Sequence, residues 1–140
     1  MRIYLSMNDP GDASYTWISD IATFASQVLD NEATHIVLDR FLCTFTHNEL
    51  APLIEQIVKK MRLNSELVII ENDMDFLSQK VTRGEMSISE VNDAMFKNPF
   101  IKSVCTIESI ESHLPSNIQV HHKNFDIPLA EVAIKCRRTS

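Results

Sequence analysis

Apolar residues recur along this chain with two different periods, and the clearest change of period falls between residues 34 and 71. Leu50, Leu53, Ile54, Ile57, Val58 and Met61 stand at i, i+3, i+4, i+7, i+8 and i+11, the stripe of an amphipathic helix expected over Thr46 to Arg62. Thr46 and Glu49 form a capping box at its start, where hydroxyl and carboxylate each satisfy a free backbone amide. Lys59, Lys60 and Arg62 crowd its last turn, where cations meet the negative end of the helix dipole. On either side, Thr34-His-Ile-Val-Leu-Asp39 and Glu66-Leu-Val-Ile-Ile-Glu71 are short and almost continuously apolar, as strands covered on both faces are. Strand, helix and strand in that order make a parallel crossover unit.

The same reading extends to both ends. Arg2 to Ser6 is expected as a first strand, and the Asp-Pro-Gly punctuation of residues 7–13 forces a turn after it. Tyr15 to Leu29 carries Trp17, Ile18, Ile21, Phe24 and Val28 at spacings near three and four, and is expected to be part loop and part helix. Beyond Glu71, one short helix starts near Asp73 with Met74, Leu77 and Val81 on one face. A second opens on the Ser87–Glu90 capping box with Ile88, Val91, Met95 and Phe96 buried. Gly84 stops the first of these. After the Asn98-Pro99 break comes a helix with Ile107, Ile110 and Leu114, ended by Pro115. Ile118–Lys123 and Leu129–Arg137 close the chain as strands joined by residues 124–128, so tightly that they are expected as antiparallel neighbours. The whole predicts one α/β domain over residues 1–140. Its five-stranded, mostly parallel sheet runs first, second, third, fifth, fourth, with only the last strand antiparallel.

Composition narrows the function classes. At 140 residues and 44% hydrophobic content the chain suits one core. Its net charge of −6 disfavours nucleic acid and anionic lipid, which need a positive field. No apolar run approaches the roughly 20 residues of a membrane span, and the start Met1-Arg-Ile-Tyr-Leu-Ser6 is too brief for a signal peptide, so a cytoplasmic location is expected. Cys43, Cys105 and Cys136 are odd in number and far apart, against a disulfide framework. His121 and His122 alternate faces on a strand and cannot serve one metal, so no metal site is expected.

Parallel strands with intervening helices, finished by an antiparallel hairpin, resemble the C-terminal half of a class I S-adenosylmethionine-dependent methyltransferase. The stretch Asp30-Asn-Glu-Ala-Thr-His-Ile-Val-Leu38 is similar to the family's approach to its fourth strand, Phe41-Leu-Cys-Thr-Phe45 to the turn after it, and Met61-Arg-Leu-Asn-Ser-Glu-Leu-Val-Ile69 to the entry into the fifth. The segments Asp75 to Phe96 and residues 102–110 resemble the substrate-side helices and the return helix, so the likeness covers about residues 30–137. The resemblance implies a trimmed Rossmann-like fold and, if the chain is an enzyme, S-adenosylmethionine as cofactor. It fails on the chemistry. The family follows its first strand with a glycine-rich loop that lets backbone amides approach the cofactor, and ends its second strand on an acid that holds the ribose. Here residues 6–12 offer one glycine, and the short gap before Thr34 implies that the second and third strands are deleted. Cys43 stands where relatives carry an acid, and no Asn-Pro-Pro-Tyr-like motif is present.

The leading expectation is therefore a degenerate methyltransferase-like protein without cofactor, acting as a non-catalytic interaction or regulatory module. The alternative is a methyltransferase that binds S-adenosylmethionine through a non-standard loop, with Ser6, Asn8, Asp9, Gly11, Asp39 and Arg40 as its cofactor site. A third reading is an acidic cation-binding domain. Asp9, Asp12, Asp39, Arg40, Glu71, Asn72 and Asp73 all follow parallel strands, at the edge where such sheets collect ligands, and could form a pocket for a cation or an amine. The competing reading is that Asp9 and Asp12 make turns while Asn72, Asp73 and Asp75 cap a helix. A protein partner or a homodimer is expected, through a first strand left as a free edge, with Ile3, Leu5, Trp17, Ile18, Ile21 and Phe24 as the interface.

Overall fold

The computed structural model describes residues 1–126 and 128–140. Its parallel strands are β1 (Arg2–Leu5), β2 (Thr16–Ile18), β3 (Ala33–Asp39) and β4 (Met61–Asn72), followed by β5 (Ile118–Asp126) and β6 (Glu131–Arg138). The helices are α1 (Ile21–Gln27), α2 (His47–Lys60), α3 (Met74–Thr82), α4 (Ile88–Phe96) and α5 (Ile107–Ser112). The sheet order is β2-β1-β3-β4-β6-β5, and β6 runs antiparallel to both of its neighbours. The expected order of five strands is thus present, with Glu131–Arg138 inside the sheet rather than at its rim. The link over residues 124–128 contains residue 127, which lies outside the described residues.

The sixth strand is the correction. Thr16-Trp17-Ile18 pairs parallel with Ile3, Tyr4 and Leu5, so β1 is not an edge and the place beside it is not empty. Three residues are too few to show a period of two, and Trp17, Ile18, Ile21, Phe24 and Val28 fit a helical spacing equally well. Only α1 is helical there, opened by Asp20, whose carboxylate accepts from the Thr23 amide. Ile3, Leu5, Ile18 and Phe24, expected at an interface, are buried in the chain's own core. Trp17 remains 40% exposed on the outermost strand.

Helix α2 keeps its Thr46–Glu49 capping box and buries Leu50, Leu53, Ile54, Ile57 and Val58, ending two residues before Arg62. The chain passes straight into β4. Asn64 and Ser65 form a bulge inside that strand, with Asn64 at φ 62° and the pairing to β3 jumping from Met61 to Glu66. Gly84 ends α3 at φ +73°, and Ser87–Glu90 caps α4. Helix α4 is otherwise drier in the sequence than in the fold. Met95 is buried against Leu77 and Ala130, but Ile88 and Phe96 are 64% and 61% exposed, because this short helix touches the body along one line and forms a wall. No helix among the described residues is long and apolar enough to cross a membrane.

Candidate functional site

A cleft of about 580 Å³ opens at the carboxyl ends of β1, β3 and β4. Ser6, Met7 and Asn8 come from the exit of β1, Asp39 and Arg40 from β3, and Glu71 and Asn72 from β4. The opposite wall is α4 and the chain after it, through Asp93, Met95, Lys97, Phe100, Ser103 and Cys105. Of the residues expected for a cofactor, Ser6, Asn8, Asp39 and Arg40 line this cleft. Asp9 and Gly11 do not: they lie on the exposed turn, where the Gly11 amide donates to Asp9 Oδ1 at 2.8 Å and Gly11 adopts φ +72°. Asp12 closes the next turn on Ser14.

Glu71 forms the floor. Leu67 and Ile69 precede it on the same face of β4 with no exposure, and Glu71 extends that row at 3%, a carboxyl in the place of an apolar side chain. Its Oε1 accepts the Cys43 amide at 3.2 Å. Burial pushes the carboxyl up to about 7; the bonds from Cys43, the nearby Arg40 guanidinium and the Leu42 amide only partly offset it. Two thiols flank it. Burial and the carboxyl push Cys43 well above its usual value, and burial chiefly, then Glu71 and Asp73, pushes Cys105 up to about 12. Both are inert as nucleophiles at neutral pH.

The rim is more polar. Arg40 sits at φ 49°, a left-handed position uncommon outside glycine, held by its amide donating to Ile70 O at 2.8 Å. Its guanidinium is ion-paired with Glu131. Asp39 Oδ2 accepts the Tyr4 hydroxyl at 2.7 Å; burial, then Asp39, drives that phenol far above its usual value. The wall is hung from the floor, since Cys43 O accepts the amides of Lys102 at 2.7 Å and Ser103 at 3.2 Å. The Ser103 hydroxyl is buried and has no hydrogen-bond partner among the described residues. Asp73 is not in the cleft: it caps α3 and also takes the Ile107 amide at the start of α5. Asn72 points the other way from the helix-cap reading, donating to Ala94 O at 3.3 Å across the cleft.

Asp93, Lys97, Phe100, Ser103 and Cys105 carry no site signal in the sequence. The Asn98-Pro99 break reads as a mere helix boundary, and only the fold turns it into a wall. Among the described residues no three His, Cys, Asp or Glu side chains converge as metal ligands would. Tyr15, Trp17 and Phe24, the aromatic residues nearest the first strand in sequence, go three separate ways. Phe24 is in the core, Tyr15 packs on Tyr4, His35 and Arg2, and Trp17 Nε1 donates to Ser6 O at 3.1 Å.

No protein-family model matches the sequence, and no curated protein sequence matches it. Solved structures do match in fold. A Bordetella parapertussis protein described as a possible exported protein superposes with TM-score 0.66 at 9% identity, over 90% of this chain and 45% of its own. A SAM-dependent methyltransferase from Archaeoglobus fulgidus gives 0.56 at 12% identity, over 97% and 75%. One from Methanosarcina mazei gives 0.59 at 12%, over 89% and 66%. The fold is a trimmed version of that of the class I S-adenosylmethionine-dependent methyltransferases. The chain spans less than half the length of the Bordetella structure.

Proposed function

We propose that this chain is a methyltransferase-like binding module that works without transferring a methyl group. One observation carries the reading: the two places where the family's resemblance calls for cofactor contacts are occupied with other bonds. An acid does follow β2, but Asp20 spends both carboxylate oxygens on Thr23, at 2.7 and 2.8 Å, to cap α1. The exit of β1 is closed on itself, Ser6 Oγ donating to Asn8 O at 2.5 Å and Trp17 covering Ser6 O. A cofactor carboxylate and ribose would each lose partners worth about 1.5–3 kcal/mol, or about 10- to 100-fold in affinity apiece. Calorimetric titration with S-adenosylmethionine and S-adenosylhomocysteine is expected to give no saturable heat at micromolar concentrations. Reproducible micromolar binding of either would overturn the reading in favour of an enzyme with a non-standard loop.

The partner belongs to the same proposal. Strand β2 is the sheet's outer edge, its backbone groups on that side are free to pair with another strand, and Trp17 supplies exposed apolar surface beside it. Two copies meeting there would be self-complementary. Sedimentation equilibrium is expected to show a dimer that Trp17→Asp dissociates. A monomer at high concentration, or a dimer indifferent to the substitution, rules this interface out.

A further inference from the structure

We propose that the cleft is a binding site for a small organic amine, taken up as its ammonium cation, with the head on Glu71 and Ser103 and an apolar body against Met95, Val104 and Phe100. The inference goes beyond the reading above and does not depend on it, since it concerns the floor and wall rather than the β1 exit. It starts from charge. A buried carboxylate needs a cation or a full set of hydrogen bonds, yet no ion pair among the described residues includes Glu71. The nearest guanidinium, Arg40, is already paired with Glu131. The thiols of Cys43 and Cys105 flank the floor and supply no positive charge.

The second observation is Ser103. Ser103 is nine-tenths buried and lines the same cleft, and its hydroxyl is without a partner among the described residues; such an orphan is costly unless a ligand completes it. An ammonium group has three donors and no acceptor, which suits a cleft lined by both a carboxylate and an unpartnered hydroxyl. Asp39 and Asp93 at the rim favour a cation over an anion, against the exposed Lys97 and an Arg40 whose charge is met by Glu131. Met95, Val104 and Phe100 line the same cleft and supply its apolar side.

Proton linkage makes the proposal testable. With no ligand, Glu71 takes up a proton near neutral pH, so an ammonium ligand must displace that proton to bind. Phenethylamine is the probe, with 2-phenylethanol as its neutral isostere and 3-phenylpropionate as its anionic counterpart. Calorimetry at pH 6 and 8 is expected to show phenethylamine at least tenfold tighter than either control, and about tenfold tighter at pH 8 than at pH 6. Runs in two buffers of different ionisation enthalpy are expected to count about half a proton released at pH 7. Glu71→Gln abolishes both the preference and the pH dependence while thermal unfolding shows that it folds, and Ser103→Ala weakens binding about tenfold. Equal affinity for amine and alcohol, tighter binding of the carboxylate, pH-independent affinity, or no binding of phenethylamine at millimolar concentration overturns the proposal. The S-adenosylmethionine titration is separate, so either reading can fail alone.

Discussion

Glu71→Gln is expected to raise the melting temperature at pH 8 by about 10 °C and to remove most of the pH dependence of stability between pH 4.5 and 7. The carboxyl ionises near 4.5 when the chain is unfolded and near 7 when buried. Between those values the unfolded chain has lost the proton and the folded chain retains it, so stability is full below pH 4.5 and falls as pH rises through 7. The loss amounts to about 3 kcal/mol, a melting shift of about 10 °C for a chain of this size. Gln keeps an acceptor for the Cys43 amide and has no charge to bury. Asp12, Asp20, Asp30 and Glu49 are held below their usual values, mainly by hydrogen bonds from Ser14, Thr23, Lys60 and Thr46. Their contributions are present above the unfolded pKa and disappear as the solution becomes more acid, a window below that of Glu71. Thermal melts of both proteins across pH 4 to 9 separate the two; parallel curves for wild type and Glu71→Gln would refute the burial argument.

The crossover from Thr34 to Glu71 is legible because its strands and helix each bury a regular row, and a row of side chains is what a period records. Glu71, Asp39 and Arg40 are placed by the same logic, since a residue directly after a buried parallel strand must lie at the ligand-binding edge. Strand β2 is not legible, because Thr16-Trp17-Ile18 owes its conformation to the neighbouring backbone of β1 and not to any alternation of its own. The far wall fails for a related reason. Ile88 and Phe96 share a helical spacing with Val91 and Met95 and look like core, and only the line along which α4 touches Leu77 and Ala130 leaves them in solvent. The acid after β2 illustrates a third limit: Asp20 has the residue type that the family's chemistry needs, and its bonding to Thr23 is a matter of one helix cap.

Asp73→Ala is expected to cost about 3 kcal/mol. Asp73 is 5% exposed, and its two carboxylate oxygens serve two helices. Oδ1 accepts the Phe76 amide at 3.0 Å, capping α3, and Oδ2 accepts the Ile107 amide at 3.2 Å, at the start of α5. Removing a cap costs about 1 kcal/mol, and leaving a partly buried amide without a partner costs about 1–3 kcal/mol more. Asp73→Asn separates the two parts, because Asn caps a helix as well as Asp does and retains a single acceptor; its loss should be roughly half. Asp75→Ala, at an exposed position in the same first turn, removes only a favourable dipole contact of about 0.3–1 kcal/mol. Urea unfolding with an unchanged m value measures all three. The backbone around Asp73 also holds the wall of the cleft, through the Met74 amide on Cys105 O at 2.9 Å and the bridge between Asp73 and Cys105. Loosening that corner frees Ser103, so Asp73→Ala should weaken phenethylamine binding as well as stability, whereas Asp75→Ala should leave binding unchanged. Equal destabilisation by the Asp73 and Asp75 variants would show that the second helix gains nothing from the shared carboxylate.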